Sequence, residues 1–442
     1  MDVTGKHVIV VGLGKSGIAA SRVAAQRGAR VVATDRAELA ELSPEVRELN
    51  ARLALGGHAG VDFAGSDLII VSPGVPNFPE LERAERASVP VIGELGFAAS
   101  QISAPILVVG GTNGKSTTTT LLGELLDASG LRVFVGGNLG RPACDAIGGE
   151  YDAVVFEASS FQLERPFTLK PRVSVLLNIT EDHLDRYPNF EAYALAKGNA
   201  FVRQASDDFA IIPAQDAGCR AQAERGRGHI VEIGAPGGDF SLEGAAVVER
   251  ATGEPFDLAA CELHGRHNQL NAAFAIAAAR AFGTEPQAIR RGLSRFRPLP
   301  HRMARVAELR GISFFDDSKG TNVGAAVTAL LGLNQARAVL IAGGRDKLGS
   351  YAPLVAALEQ KGRAVVLIGE AAEKIAGAIG SRLPVVRARD MQGAVRAAFE
   401  LAQPGDAVLL SPACSSFDMF ESYAERGRCF ARAVQELKEE LA

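Results

Sequence analysis

The sequence predicts an α/β protein of three domains. Three observations carry that expectation. The chain has 442 residues, too many for one ordinary core. Short apolar strands alternate with helix-patterned stretches along its length. Most of the strands run into turns rich in glycine, serine and charged residues, the arrangement of a ligand-bearing sheet edge. Apolar residues make up 47% and charged residues 22%, the balance of a soluble globular protein. A formal charge of −4 gives no electrostatic reason to expect nucleic acid or an anionic membrane as a partner. No stretch approaches the ~20 apolar residues of a membrane span. The first apolar run, Val8 to Val11, is too short for a signal peptide. The five cysteines are scattered without a C-x-x-C pair, as reduced thiols are. A cytoplasmic protein is expected.

Residues 1–93 read as the first domain. His7 to Val11 is a buried strand, Gly12-Leu13-Gly14-Lys15-Ser16-Gly17 a G-x-G-x-x-G turn, and Ile18 to Gln26 a helix closed by Gly28. Arg30 to Thr34 is a second strand, ending at Asp35. This is a Rossmann-like unit, with an acidic residue about 20 positions on to hold a ribose hydroxyl. The turn is a weak signal by itself, and a nicotinamide or flavin site and a plain tight turn both fit it. A strand from Asp67 to Val71 delivers Ser72-Pro73-Gly74-Val75-Pro76, and a strand near Val89 to Ile92 closes the domain.

Residues 94–299 form the second expected domain, of P-loop ATPase type with a parallel sheet. The strand Ile106 to Gly110 runs into Gly111-Thr112-Asn113-Gly114-Lys115-Ser116-Thr117, and a helix follows over Thr117 to Leu125. Such a turn aligns backbone N–H groups at a helix N-terminus, where Lys115 reaches outer phosphates and the Ser116 hydroxyl reaches Mg²⁺. Val109 stands where the usual pattern has its first glycine, so the loop is a shortened variant. Tyr151 to Phe156 delivers Glu157, and Val173 to Leu177 delivers the acidic loop containing His183, to the same sheet edge as Ser116. Magnesium prefers oxygen but accepts an occasional imidazole beside phosphate. From Asp207 to Leu263 the pattern loosens into short strands and turns, with a surface loop at Gly234 to Gly238. An alanine-rich helix then runs from His267 to Arg280 and sets Asn268 and Asn271 on one face. Arg295 to Pro300 reads as a linker.

Residues 300–442 return to Rossmann-like strand–helix alternation. Its strands end in Asp317-Ser318-Lys319-Gly320-Thr321-Asn322, in Gly343-Gly344-Arg345-Asp346-Lys347 and in Ser411-Pro412-Ala413-Cys414-Ser415-Ser416-Phe417-Asp418. Two different nucleotide turns in one chain need an explanation. A dehydrogenase needs only the first and a simple ATPase only the second, whereas a ligase joining ATP chemistry to a nucleotide-activated substrate needs both.

The loop from Gly111 to Thr117 resembles the ATP loop of the Mur ligases, which build the peptide stem of peptidoglycan. The stretches Phe156–Leu163, Asn178–Tyr187, Asp317–Asn322 and Ser411–Asp418 resemble the branch of that family that adds D-glutamate, in order and spacing. The resemblance implies an ADP-forming ligase that phosphorylates the carboxylate of UDP-N-acetylmuramoyl-L-alanine and lets the D-glutamate amine attack the acyl phosphate. It implies a monomer. By the same resemblance Lys115, Glu157, His183 and Lys197 are catalytic, and Ser116, Glu157, His183 and a carbamylated Lys197 hold two Mg²⁺ ions. ATP falls to Gly111, Thr112, Asn113, Gly114, Lys115, Ser116, Thr117, Asn268, Asn271, Arg302 and Asp317. The UDP end falls to Gly14, Lys15, Ser16, Asp35 and Arg36, and the diphosphate and sugar to Ser72, Gly74, Asn138 and Gly140. Lys319, Thr321, Lys347, Ser416, Phe417 and Tyr423 are implied for glutamate, with Ser159 also among the substrate contacts. Read without the resemblance, Lys197 is an ordinary surface lysine. The alternatives are a related ligase for L-glutamate or another amino acid, a folylpolyglutamate-type ligase, and a nucleotide-sensing protein without chemistry.

Overall fold

Three sheets follow one another along the chain in a computed structural model. It describes every residue except Phe167, Leu184, Asp185, Ala235, Pro236, Ala260, Glu262, His264, Lys347, Leu348 and Ala442. The expected surface loop at 234–238 and Lys347 thus fall partly or wholly outside the described residues.

The first sheet is built from β1 (His7–Val11), β2 (Arg30–Thr34), β3 (Arg52–Ala54), β4 (Leu68–Val71) and β5 (Val91–Gly93), all parallel in the order β3-β2-β1-β4-β5. Helices α1 (Lys15–Gln26), α2 (Pro79–Arg86) and α3 (Glu94–Ala99) accompany it. Helix α1 begins at Lys15, three residues earlier than the apolar pattern suggested, so Lys15 and Ser16 lie in its first turn. The polar first turn hides the start because it faces the sheet edge, not the core. Gly17 is required there: a Cβ would stand 1.8 Å from the Gly12 carbonyl oxygen and 2.8 Å from Ser72 Oγ.

The second sheet carries β6 (Ile106–Gly110), β7 (Val133–Gly137), β8 (Ala153–Glu157), β9 (Val173–Leu176), β10 (Phe209–Pro213), β11 (His229–Ile233), β12 (Phe240–Glu243), β13 (Ala246–Glu249) and β14 (Glu254–Asp257). Its order is β14-β13-β12-β11-β10-β9-β6-β8-β7, parallel from β7 to β12 with an antiparallel edge. The loosened stretch after Asp207 is therefore an extension of the sheet. Its helices are α4 (Lys115–Asp127), α5 (Ser160–Leu163), α6 (Phe190–Gly198), α7 (Ala217–Ala223), α8 (Arg266–Ala281) and α9 (Pro286–Arg295). The alanine run Ala272–Ala279 of α8 is buried with Leu121, Leu122, Leu125 and Leu126 of α4 in one core. Small side chains on α8 allow that close approach, which is why the helix has no polar face over this run.

The third sheet holds β15 (Ala304–Leu309), β16 (Ile312–Asp316), β17 (Ala338–Gly343), β18 (Gly362–Ile368), β19 (Val385–Arg387) and β20 (Ala407–Leu410) in the order β15-β16-β20-β17-β18-β19, parallel apart from β15. Helices α10 (Val323–Gly332), α11 (Ala352–Lys361), α12 (Ala372–Ile379), α13 (Met391–Leu401) and α14 (Tyr423–Glu440) surround it. Among the described residues no helix is long and apolar enough to cross a membrane.

The contact at Gly17 is testable. Gly17→Ala should destabilise the first domain by about 1–3 kcal/mol through overpacking, read as a shift in its urea midpoint.

Candidate functional site

The nucleotide loop between β6 and α4 is held from below by a carboxamide. Asn178, just beyond β9, accepts from the backbone N–H of Thr112 at 3.2 Å and of Asn113 at 2.9 Å through Oδ1, and its Nδ2 donates to Asn113 O at 3.1 Å. Thr112 Oγ1 lies 3.1 Å from Tyr193 OH and accepts from the Thr180 N–H at 3.0 Å. Gly114 has φ +86°, and a Cβ there would meet Asn271 Oδ1 at 2.3 Å. Helix α4 therefore starts at Lys115, two residues before the apolar pattern, and Lys115 and Ser116 fall in its first turn. Those N–H groups and the helix dipole favour an anion in front of the loop.

Lys115 and Lys197 converge on one acceptor. Lys197, on α6, is 2% exposed, so the surface-lysine expectation is overturned. Its Nζ donates to Gly111 O at 2.7 Å, and Lys115 Nζ donates to the same oxygen at 2.9 Å. Burial first, and the Lys115 charge second, hold Lys197 well below the usual lysine pKa. A lysine so placed has access to its neutral, nucleophilic form.

Glu157, at the end of β8, is 2% exposed and accepts from Asn138 Nδ2 at 2.6 Å through Oε1. Among the described residues its buried Oε2 finds no hydrogen-bond partner. An unmatched carboxylate oxygen beside a phosphate loop, with the buried Ser116 hydroxyl, suits a hard oxygen-seeking cation. His183 has φ +56° and is half-exposed; its Nε2 lies 3.7 Å from Asp182 Oδ2 and its ring centroid 4.8 Å from that of Phe161. Among the described residues no three His, Cys, Asp or Glu side chains form a metal cage, so phosphate oxygens would have to complete such a site.

A cleft between the second and third sheets is lined by Asn113, Gly114 and Thr117 on one side and Arg302, Asp317 and Lys319 on the other, with Asn268 and Asn271 between them. Asn271 Nδ2 donates to Asn268 Oδ1 at 3.1 Å. Asp317 accepts from Ser411 Oγ at 2.7 Å, and burial pushes its carboxyl up to about 7 against the pull of Ser411 and Arg302. A second cavity, of about 690 Å³, is lined by Gly14, Lys15, Ser16, Asp35, Ser72, Gly74, Asn138 and Gly140 among others. Asp35 spends both oxygens on backbone, accepting from Leu13 N at 2.5 Å and Ala37 N at 2.9 Å, so it shapes the glycine turn. Tyr423 of α14 also lines this cavity, and Lys319 Nζ lies 3.9 Å from the centre of its ring. The two cavities thus meet at the Lys319–Tyr423 pair.

Other expected residues lie apart from these two cavities. Arg36 is exposed, Phe417 is 64% exposed, and Thr321 and Ser416 line neither of them. Ser159 is the N-cap of α5, in a capping box with Gln162, so its hydroxyl serves the helix; Gln162 lines the second cavity instead. Arg345 is exposed, forms a bridge with Ser415 and lies 3.7 Å from Glu370. Sequence reasoning gave no role to Asn178, Tyr193, Asn322 or Arg426. Arg426 is fully buried and donates to Ser318 Oγ and O at 3.0 and 2.8 Å and to Cys414 O and Ser415 O at 3.2 and 3.3 Å, stapling two strand-end loops together. Burial pushes its pKa down to about 10. Nothing in its helical neighbourhood announces this, whereas Asn178 sits in a strand-end motif and could have been found.

Asp317 yields a pH prediction for the nucleotide-free protein. Its folded pKa lies above the unfolded one, so the folded state keeps a proton that the unfolded chain releases. Its contribution to stability is present at low pH and is lost as pH rises from about 4 towards 7. Asp317→Asn should remove that part of the slope, read from urea unfolding of both proteins at pH 5 and pH 8.

Comparison with known proteins places these cavities in context. Family models described as "Mur ligase MurD-like, N-terminal domain", "Mur ligase middle domain" and "Mur ligase, glutamate ligase domain" match residues 6–93, 109–279 and 301–414. A UDP-N-acetylmuramoylalanine–D-glutamate ligase of Desulfosudis oleivorans is 44% identical, over 99% of this chain and 98% of that one. One of Trichlorobacter lovleyi is 42% identical, over 99% and 100%. Among solved structures, MurF ligase from Thermotoga maritima in complex with ADP superposes with a TM-score of 0.64 at 18% identity, covering 100% of this chain and 96% of that one. A pseudomurein peptide ligase type C from Methanothermus fervidus gives 0.62 at 18% identity, covering 98% and 100%. At that identity the likeness speaks for the three-domain fold. With full-length relatives above 40% identity and all three domain models in order, the chain belongs to the Mur ligase family, in the branch of the UDP-N-acetylmuramoylalanine–D-glutamate ligases.

Proposed function

We propose that the protein joins D-glutamate to UDP-N-acetylmuramoyl-L-alanine at the expense of ATP, in the synthesis of peptidoglycan precursors in the cytoplasm, and that it works as a monomer. The observation that supports this reading best is the junction of the two cavities, where Asn113 and Gly114 of the nucleotide loop line a cleft next to the first-domain cavity. ATP occupies the cleft, with Asn268, Asn271, Arg302 and Asp317 around its nucleoside. The UDP substrate occupies the first-domain cavity and directs its alanine carboxylate towards the nucleotide loop.

A carboxylate is a poor electrophile, and phosphorylation supplies the leaving group. A carboxylate oxygen attacks the γ-phosphorus, and the bond to the β-phosphate oxygen breaks, releasing ADP. The glutamate amine then attacks the acyl carbon, loses a proton, and the intermediate expels phosphate. Lys115 neutralises the transferring phosphoryl group, and the loop N–H groups hold it in line. Ser116, Glu157, His183 and Lys197 as a carbamate would hold two Mg²⁺ ions, which when bound neutralise phosphate charge. The neutral form of Lys197 favours the carbamate, because only a free amine adds to CO₂. Lys347, Thr321, Ser416 and Tyr423 receive glutamate.

The deciding assay is ADP release with UDP-N-acetylmuramoyl-L-alanine, MgATP and, in turn, D-glutamate, L-glutamate, D-aspartate and L-lysine. Release with D-glutamate alone is expected; release with L-glutamate instead would overturn the stereochemical assignment. Lys115→Ala should lower kcat by roughly 10²–10³, the scale of one lost transition-state donor. Removing dissolved CO₂ should slow wild-type turnover and bicarbonate should restore it, while Lys197→Ala should respond to neither.

A further inference from the structure

Asn322 joins two domains through one side chain. It is the N-cap of α10, and its Oδ1 accepts from the Ala325 N–H at 2.8 Å. Its Nδ2 crosses to the second domain, donating to Asn113 Oδ1 and to Asp182 Oδ2, each at 3.2 Å. Asn113 is the nucleotide-loop residue whose backbone Asn178 clamps on both sides, and Asp182 immediately precedes His183. The carboxamide thus reaches the two loops that flank the cleft at once, from a helix of the opposite domain.

The surroundings make α10 a lever pivoted at its far end. Near its start the helix only touches the loops: a Cβ on Gly324 would stand 3.4 Å from Asn113 Nδ2 and 3.5 Å from Thr180 Oγ1, ordinary contacts. At its end it is pressed against the entry to α8, where a Cβ on Gly332 would meet His267 Nδ1 at 2.6 Å and one on Gly265 would meet Gly332 O at 2.9 Å. Packing presses the C-terminal end of α10 against the second domain, and the Asn322 amide is a polar tie to that domain at the N-terminal end. The helix also separates two spaces: Ala325, Thr328 and Ala329 line the nucleotide cleft, and Val323, Gly324 and Val327 line a pocket of about 320 Å³ shared with Asp182, His183 and Asp346. Its tilt sets the width of both.

We propose that Asn322 is a positioning residue that latches the third domain onto the nucleotide loop and the His183 loop, and so couples domain closure to the shape of the phosphate site. The turnover part of its test rests on the ligase reading above; the closure part does not.

Asn322→Ser separates the two duties, because serine caps a helix about as well as asparagine but is too short to reach Asn113 or Asp182. Its melting temperature should stay close to wild type. In the presence of an ATP analogue, small-angle scattering should show a larger radius of gyration than for wild type. The loss of a hydrogen bond to a carboxylate should weaken closure about ten- to a hundredfold. With substrates, kcat should fall by a similar factor while the KM for the UDP substrate is unchanged, since the first-domain cavity has no contact with Asn322 among its lining residues.

A polarity swap tests the bond itself. Asn322→Asp keeps the cap but sets a carboxylate against Asp182, and should open the protein more than Asn322→Ser does. Adding Asp182→Asn lets the introduced amide donate to the introduced carboxylate, while Asn113 turns its own amide round. Compaction should then return. Wild-type compaction in Asn322→Ser, or no recovery in the double variant, would overturn the latch. Absence of turnover with D-glutamate in the wild-type protein would instead sink the ligase reading, so the two failures appear in different measurements.

Discussion

The centre of the molecule depends on holding a loop of small residues in one shape. The segment from Gly111 to Gly114 has little side-chain bulk to pack, so its conformation must come from hydrogen bonds supplied by its neighbours. Asn178 provides three of them from the adjacent strand end, and Thr112 is fastened to Thr180 and Tyr193. Both belong to chain that leaves the same parallel sheet. The β9–β6–β8 ladder therefore fixes where Asn178, the nucleotide loop and Glu157 stand with respect to one another.

The same loop organises charge. Gly111 O accepts from the Nζ of both Lys115 and Lys197, and the Lys115 charge together with the first turn of α4 marks this as a place where an anion belongs. Glu157 is the converse, a buried carboxylate with one oxygen satisfied by Asn138 and the other unmatched among the described residues. Interiors rarely tolerate either arrangement without a ligand to balance it. The cost of keeping such groups ready is offset by the cores around them, with α8 laid against α4 through a run of alanines.

The second and third domains meet across a cleft, which is how a protein that must admit large substrates is expected to be built. Asn322 reaches across to Asn113 and Asp182 at that junction, Lys319 lies over Tyr423 on the third domain's side of it, and Arg426 makes the third domain's own loops rigid behind.

Periodicity and turn chemistry were legible in the sequence. The strands before Gly12, Gly111, Glu157 and Asp317 all read as short apolar runs, and each ends where a functional loop begins. Helix starts were read too late at Lys15 and Lys115, because a first turn that faces a ligand carries no apolar signal. Contacts between distant segments had no signature. That Lys197 is buried beside Gly111, that Ser159 serves a cap, and that Asn322 reaches two loops of another domain follow from how the sheets pack. Local sequence determines which backbone conformations and which apolar faces are available, since those depend on neighbours a few residues away. Which polar atom finds which partner 86 or 209 residues distant was decided only when the sheets closed on one another and removed water from between them.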